Sequence, residues 1–115
     1  MKVYLTEHFK KQLKKLKKGY PHVKEDLLAS LSKIDLKTAV SIGNSIYKIR
    51  IKSRDLNRGK SGGFRSYIHF YQKEGGLIPL CIYAKSKIES ISEKTLQYHI
   101  DMTNLEMLVW IRKNS

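Results

Sequence analysis

Acidic side chains are scarce in this chain: ten Asp and Glu stand against 23 Lys and Arg, a formal charge of +13 over 115 residues. Like charges repel within a compact state, so the excess points to an acidic partner: nucleic acid, an anionic membrane or an acidic protein. Cysteine is scarcer still. Cys81 stands alone, which excludes a disulfide or a Cys-based metal site within a monomer. Its place in the apolar run from Leu77 to Tyr83 predicts a buried, inert thiol. No apolar run approaches the ~20 residues that span a bilayer, and too few apolar residues precede the first charges for a signal-peptide core. The expectation is a soluble, cytoplasmic protein with no membrane partner. His8, His22, His69 and His99 are dispersed, without His-x-x-x-His or Cys/His spacing, so no metal site is expected. A Gly-x-Ser-x-Gly elbow is missing as well. Gly59-Lys60-Ser61 matches only the tail of a phosphate-binding P-loop, because Arg54 stands where the first glycine is needed and Gly62-Gly63 follow where a helix should begin. No cofactor is implied. Without a linker, a repeat or a low-complexity tail, residues 1–115 read as one domain.

What is present is periodic. Val3 to Leu5 can form a short strand, after which Leu5, Phe9, Leu13, Leu16 and Tyr20 recur at helical steps and predict an amphipathic helix over 7–18. Its other face carries Lys10, Lys11, Lys14, Lys15, Lys17 and Lys18, either a solvated face or an attractor of nucleic acid or an acidic partner. Gly19 ends this helix and Pro21 can open the next, which places Val23, Leu27, Leu31 and Ile34 on one side. Residues 36–45 read as a weakly patterned connection with a turn at Gly43-Asn44. Strands follow at about 46–52, 64–72 and 77–84, sequential and antiparallel. Ser90 with Glu93 resembles a capping box for a helix to about residue 111, whose Leu96, Ile100, Met107 and Trp110 can reach the core. From Leu105 to Ile111 apolar residues cover most of the circumference, which packs within the domain or docks on a partner. The class is α+β, in the order βααβββα, with a helical hairpin on a small antiparallel sheet.

Alternation gives the central strands a chemical face. Lys48, Arg50 and Lys52 lie opposite Tyr47, Ile49 and Ile51, and Arg65, Tyr67, His69 and Tyr71 lie opposite Phe64, Ile68 and Phe70. If the apolar sets pair on one side, the other side becomes a surface of cations, tyrosines and a histidine, suited to phosphates and bases. Lys85 and Lys87 follow the last strand, and Lys60 can swing over the face from its Gly-rich loop. Such a cluster can merely bind, or it can cleave RNA. Cleavage by the RNA's own 2′-hydroxyl needs a base for that hydroxyl, cations for the phosphorane charge and an acid for the 5′-oxygen. A lysine crowded by cations moves toward the base role, and an arginine holds non-bridging oxygens bidentately.

Ile46-Tyr47-Lys48-Ile49-Arg50, then Gly59-Lys60-Ser61-Gly62-Gly63-Phe64-Arg65, then Leu80-Cys81-Ile82-Tyr83-Ala84-Lys85, resembles the toxins of the RelE/ParE superfamily. The resemblance is greatest to the HigB-like branch, with its basic strand, GK-x-GG-x-R loop and Tyr-x-Lys strand end. It implies a type II toxin that enters the ribosome, cuts mRNA during translation and is silenced by an antitoxin, often of helix-turn-helix type. On that pattern Arg65 contacts the scissile phosphate, Lys48, Arg50 and Lys85 occupy catalytic positions, and Lys52, Lys60, Tyr67, His69, Tyr83 and Lys87 are left to bind substrate. Ser86 and Lys87 stand where some members have an arginine, and no tyrosine follows until Tyr98, so a tyrosine base is not carried over. Two alternatives share the residues: a ParE-like gyrase poison without nuclease activity, and a non-catalytic nucleic-acid-binding regulatory domain.

Overall fold

The computed structural model describes residues 1–56, 62–73 and 75–114. In chain order the elements are β1 (Lys2–Val3), α1 (Glu7–Lys17), α2 (Val23–Ser32), β2 (Val40–Gly43), β3 (Ile46–Ile51), β4 (Phe64–Tyr71), β5 (Gly76–Ala84) and α3 (Glu93–Asn114). The α+β class and the antiparallel β3-β4-β5 meander agree with the sequence reading, within a five-stranded sheet ordered β1-β5-β4-β3-β2. Two features differ. β1 pairs parallel with β5, so the sheet is mixed rather than antiparallel throughout. The expected connection over 36–45 contains β2, so the order is βααββββα. All four residues of β2 are exposed, so burial imposes no alternation on its sequence. It is held instead by backbone pairing of Val40 with Lys48 and Ser41 with Tyr47. The turn signal holds: Gly43, Asn44 and Ser45 all have positive φ, at 97°, 54° and 60°.

One sheet face carries the helical hairpin. Phe9 and Leu13 of α1 and Val23, Leu27 and Leu31 of α2 pack on Ile51, Phe64, Ile68, Leu77, Ile82 and Ala84. Each fully buried side chain of this size contributes about 1.5–3 kcal/mol. Thr6 caps α1 by accepting the Phe9 N–H at 3.0 Å. The lysines of α1 are all exposed. They form six like-charged pairs three or four residues apart, Lys10–Lys14, Lys11–Lys14, Lys11–Lys15, Lys14–Lys17, Lys14–Lys18 and Lys15–Lys18, which together destabilise the helix by about 1–3 kcal/mol. Proximity to the helix C-terminus offsets part of this. α2 begins at Val23 with His22 at its N-cap, so Pro21 lies in the preceding turn rather than in the helix. No side chain of its own caps α2. Asp55 instead accepts the His22 N–H at 2.8 Å and meets its Nδ1 at 2.7 Å, while Asp26 accepts the Arg54 N–H at 3.0 Å and Nε–H at 2.9 Å. These pairs clamp the segment after β3 onto α2.

β5 serves both sheet faces through a bulge. Leu77 and Ile82 are an odd number of positions apart yet face the same core, whereas Leu80, Cys81 and Tyr83 face the other. The register shift opposite Tyr67/Ile68, where Cys81 and Pro79 are the successive partners, produces this change of parity. Pro79, which cannot donate a ladder bond, sits at that irregularity. Gln12 of α1 ties into the same stretch, its amide donating to the Leu80 carbonyl at 3.3 Å and its carbonyl accepting the Ile82 N–H at 3.1 Å.

α3 covers part of the second face. Ile91, Leu96 and Ile100 pack against Ile46, Tyr67, Leu80, Cys81 and Tyr83. Its N-cap is Ser92, whose Oγ accepts the Thr95 N–H at 3.1 Å. The expected Ser90–Glu93 box is therefore not the one used, because Glu93 already occupies the first helical position. Glu106 reaches α1, accepting the Glu7 N–H at 2.6 Å and the His8 N–H at 3.2 Å, and His8 Nε2 meets His99 Nδ1 at 2.8 Å. Beyond this contact the helix projects. Met107 is half-buried, but Trp110 is 59% exposed, with Leu105, Leu108, Val109 and Ile111 also exposed. The expected core role of Trp110 is thus corrected: it lines an open cavity beside Val3, Leu5 and Ile78 rather than packing into the core.

Candidate nucleic-acid interface

Strand pairing assembles the basic face as alternation requires. β3 and β4 oppose Lys48 to Tyr67 and Arg50 to Arg65, and β4 and β5 oppose Arg65 to Tyr83 and Tyr67 to Cys81. Directly opposed residues of an antiparallel pair share a face, so two arginines meet side by side, an arrangement that destabilises a sheet unless an anion intervenes. No carboxylate pairs with Lys48, Arg50 or Arg65 among the described residues. Lys48 is half-buried with its amine 5.8 Å from the centroid of the Tyr67 ring; Arg50 is exposed.

Arg65 departs from the expected open position. Only 9% of it is exposed, and its Nη1 donates to the Gly62 carbonyl at 3.0 Å and the Phe64 carbonyl at 3.2 Å. Its Nε and Nη2 make no bond with the described residues. One end of the guanidinium is thus fixed by backbone, the preorganisation that stabilises an anion without reorganisation. Gly63 makes this possible: its φ is +63°, and a Cβ there would overlap the Ile51 carbonyl oxygen. Its own carbonyl accepts the Lys85 N–H at 3.1 Å, so the start of β4 is held from both neighbouring strands.

The aromatic members are less open than expected. Tyr67 and Tyr83 are buried at 7% and 5% exposure because α3 lies over them. Burial raises the Tyr67 phenol and pushes Tyr83 up to about 12, with Tyr67 beside it adding to the rise and Arg65 opposing it. Both stay protonated near neutrality. Burial likewise pushes the Cys81 thiol up to about 12, consistent with an inert core residue. His69 stacks on Tyr71 at 4.8 Å, and its burial lowers its affinity for a proton. Lys85 is engaged, its amine 3.6 Å from the Glu89 carboxylate and 3.4 Å from the Glu89 carbonyl. Lys52 lies just past the end of β3 and Lys87 in the turn after β5, both exposed. The expectation for Lys60 falls outside the described residues.

The structure thus brings Lys48, Arg50, Arg65, Tyr67 and Tyr83 together, with Lys85 at the margin. What sequence reasoning missed is the apparatus that holds them. Asp26 with Arg54, and Asp55 with His22, pair across distances in sequence that no local motif marks. Glu89 as the partner of Lys85 is signalled only by its four-residue spacing. A cavity of about 440 Å³ lies elsewhere, between β1 and the last turns of α3, lined by Val3, Leu5, Met107 and Trp110 among others.

Fold and site together define a small, strongly basic α+β protein that presents uncompensated cations on one sheet face. The chain matches the family described as the RelE toxin of the RelE / RelB toxin-antitoxin system over residues 1–108, and it belongs to that family. It is therefore the toxin of a toxin-antitoxin pair, with a cognate antitoxin as partner. No curated protein matches it. Among the described residues no helix is long and apolar enough to cross a membrane.

Proposed function

We propose that this toxin is a single-domain, HigB-like, metal-independent endoribonuclease that cuts mRNA on the translating ribosome in the cytoplasm. The observation that carries the reading is Arg50 directly opposite Arg65 with no carboxylate among the described residues to neutralise either. In the reaction the 2′-oxygen attacks phosphorus, the bond to the 5′-oxygen breaks, and a 2′,3′-cyclic phosphate and a 5′-hydroxyl result. Arg65, with Nη1 pinned, offers Nε–H and Nη2–H to the non-bridging oxygens as charge develops. Lys48, free of any carboxylate among the described residues, is the better-placed group to take the 2′-hydroxyl proton. Lys85, once parted from Glu89, delivers a proton to the departing 5′-oxygen, which leaves as the 5′-hydroxyl. Arg50, Lys52 and Lys60 hold the strand, and Tyr67, His69, Tyr83 and Lys87 border it. A chain with three phosphates on Lys48, Arg50 and Arg65 would give a salt slope near 2 for single-stranded RNA.

Mapping of 5′ ends in a translation extract tests this. Wild type should produce cuts confined to translated codons. Arg65→Ala should lose about 10²–10³ of the rate, the usual consequence of removing one transition-state donor, and Arg65→Lys should recover little because a lysine cannot reproduce the fork. Unchanged cleavage by Arg65→Ala overturns the assignment. Inhibition of gyrase supercoiling without mRNA cuts would favour the ParE-like alternative.

A further inference from the structure

We infer that the outer face of α1 is a second polyanion-binding surface, built for the phosphate backbone of a folded, double-stranded RNA segment and separate from the basic sheet face. At 100° per residue, Lys10, Lys11, Lys14, Lys15, Lys17 and Lys18 fall within an arc of about 160° and a length of about 12 Å. Phe9 and Leu13, on the opposite side of the helix, are buried against the sheet. Only Lys10 has an acidic partner among the described residues, Glu7 at 3.6 Å, and both are exposed. The remaining lysines repel one another, relieved only in part by the negative end of the helix dipole.

Placement makes this surface independent of the sheet site. α1 packs on the sheet face that carries Ile51, Phe64 and Ile82, whereas Arg50, Arg65 and Tyr83 belong to the other face. The sheet and the helix layer lie between them, so a strand bound at Arg65 cannot also lie along α1. The chemistry of the face selects the partner. It holds no large exposed apolar residue: those on the molecule lie elsewhere, chiefly on α3. A protein partner would find nothing to bury at the centre of such an interface. A polyphosphate needs only cations, and its binding is driven by counterion release. Lysines without an arginine supply point charges rather than forked base contacts, and the deep groove of an RNA duplex does not admit a helix, so binding follows shape and backbone rather than sequence.

The test is fluorescence anisotropy of a labelled RNA duplex, about 16 base pairs long as for other shape-reading RNA binders, titrated with the full chain from 50 to 300 mM salt. With Lys11, Lys14, Lys15 and Lys18 each replaced by Gln, affinity at 100 mM salt should fall at least tenfold, and the salt slope should drop by about 2 to 4. Replacing the same four by Arg should preserve binding. Arg65→Ala should change duplex binding by less than twofold, whatever it does to cleavage, so the two readings fail separately. A wild-type slope in the Gln variant overturns the proposal. So does loss of duplex binding in Arg65→Ala, or a Gln variant that loses only the binding of a polyglutamate peptide.

Discussion

Replacing Gly63 with Ala, beside Gly75→Ala as control, isolates the close backbone approach that positions Arg65. Both glycines have φ near +60°, so both alanines incur left-handed strain of about 1–2 kcal/mol. The control meets nothing within 4 Å and should stop there. At Gly63 the new methyl would overlap the Ile51 carbonyl, a backbone atom of the neighbouring strand. The start of β4 must then move off β3, and forced displacement of packed structure adds about 1–3 kcal/mol. Gly63→Ala should therefore cost about 2–5 kcal/mol in total, within the roughly 5–15 kcal/mol that holds an ordinary domain folded. Urea unfolding at 25 °C reads both variants, with equal m-values required for the comparison. Because Gly62 O and Phe64 O hold the guanidinium, Gly63→Ala should also impair RNA cleavage while still folded, and Gly75→Ala should not. Equal destabilisation by the two alanines would refute the argument from close approach.

Two further outcomes follow from buried polar groups. Tyr83→Phe removes a buried hydroxyl whose polar neighbour is the Tyr67 phenol, and it should change stability by no more than about 1 kcal/mol, read as the shift in thermal midpoint; a larger loss would show that the two phenols share a strong hydrogen bond. Burial lowers the proton affinity of His8 and His99, with Glu106 opposing at His8 and Lys11 assisting, and with His8 further lowering His99. The unfolded chain then takes up protons first, so stability is complete above pH 6.5 and is lost as pH falls through the lowered folded values. His69, also lowered by burial, acts with the same sign. Asp55, lowered from 3.8 chiefly by its bond to His22, contributes stability that is lost only as pH falls below that value and leaves the window between 5 and 7 to the histidines. Thermal midpoints from pH 8 to 5 should fall in wild type and fall less in His99→Gln, and parallel curves would exclude a role for the pair.

Where burial acted on only one side of an element, the sequence could be read. The three- and four-residue steps through Phe9 and Leu13 located α1, and the alternation through Ile49, Ile51, Phe64 and Ile68 located both the central strands and the face bearing Arg50 and Arg65. β2 escaped because solvent surrounds all four of its residues. β5 is buried along its whole length, so its run of apolar residues carried no phase, and the change of parity at Pro79 was invisible until pairing with β4 revealed it. The burial of Arg65 was equally hidden. Its acceptors are backbone carbonyls, which every residue possesses, and only the path of the loop decides which of them meet a guanidinium. α3 illustrates the limit in the other direction, since its apolar run past Leu105 was plain but the exposure of that run was not.

Glu106 finishes the first helix from 99 positions downstream of Glu7. A chain synthesised from its N-terminus carries α1 with two amide donors unmet until that residue emerges, and it lacks the helix that covers Tyr67 and Tyr83. Completion of the first helix thus waits for a residue encoded far downstream of it. A product cut short before Glu106 keeps an opening helix that has lost its clasp.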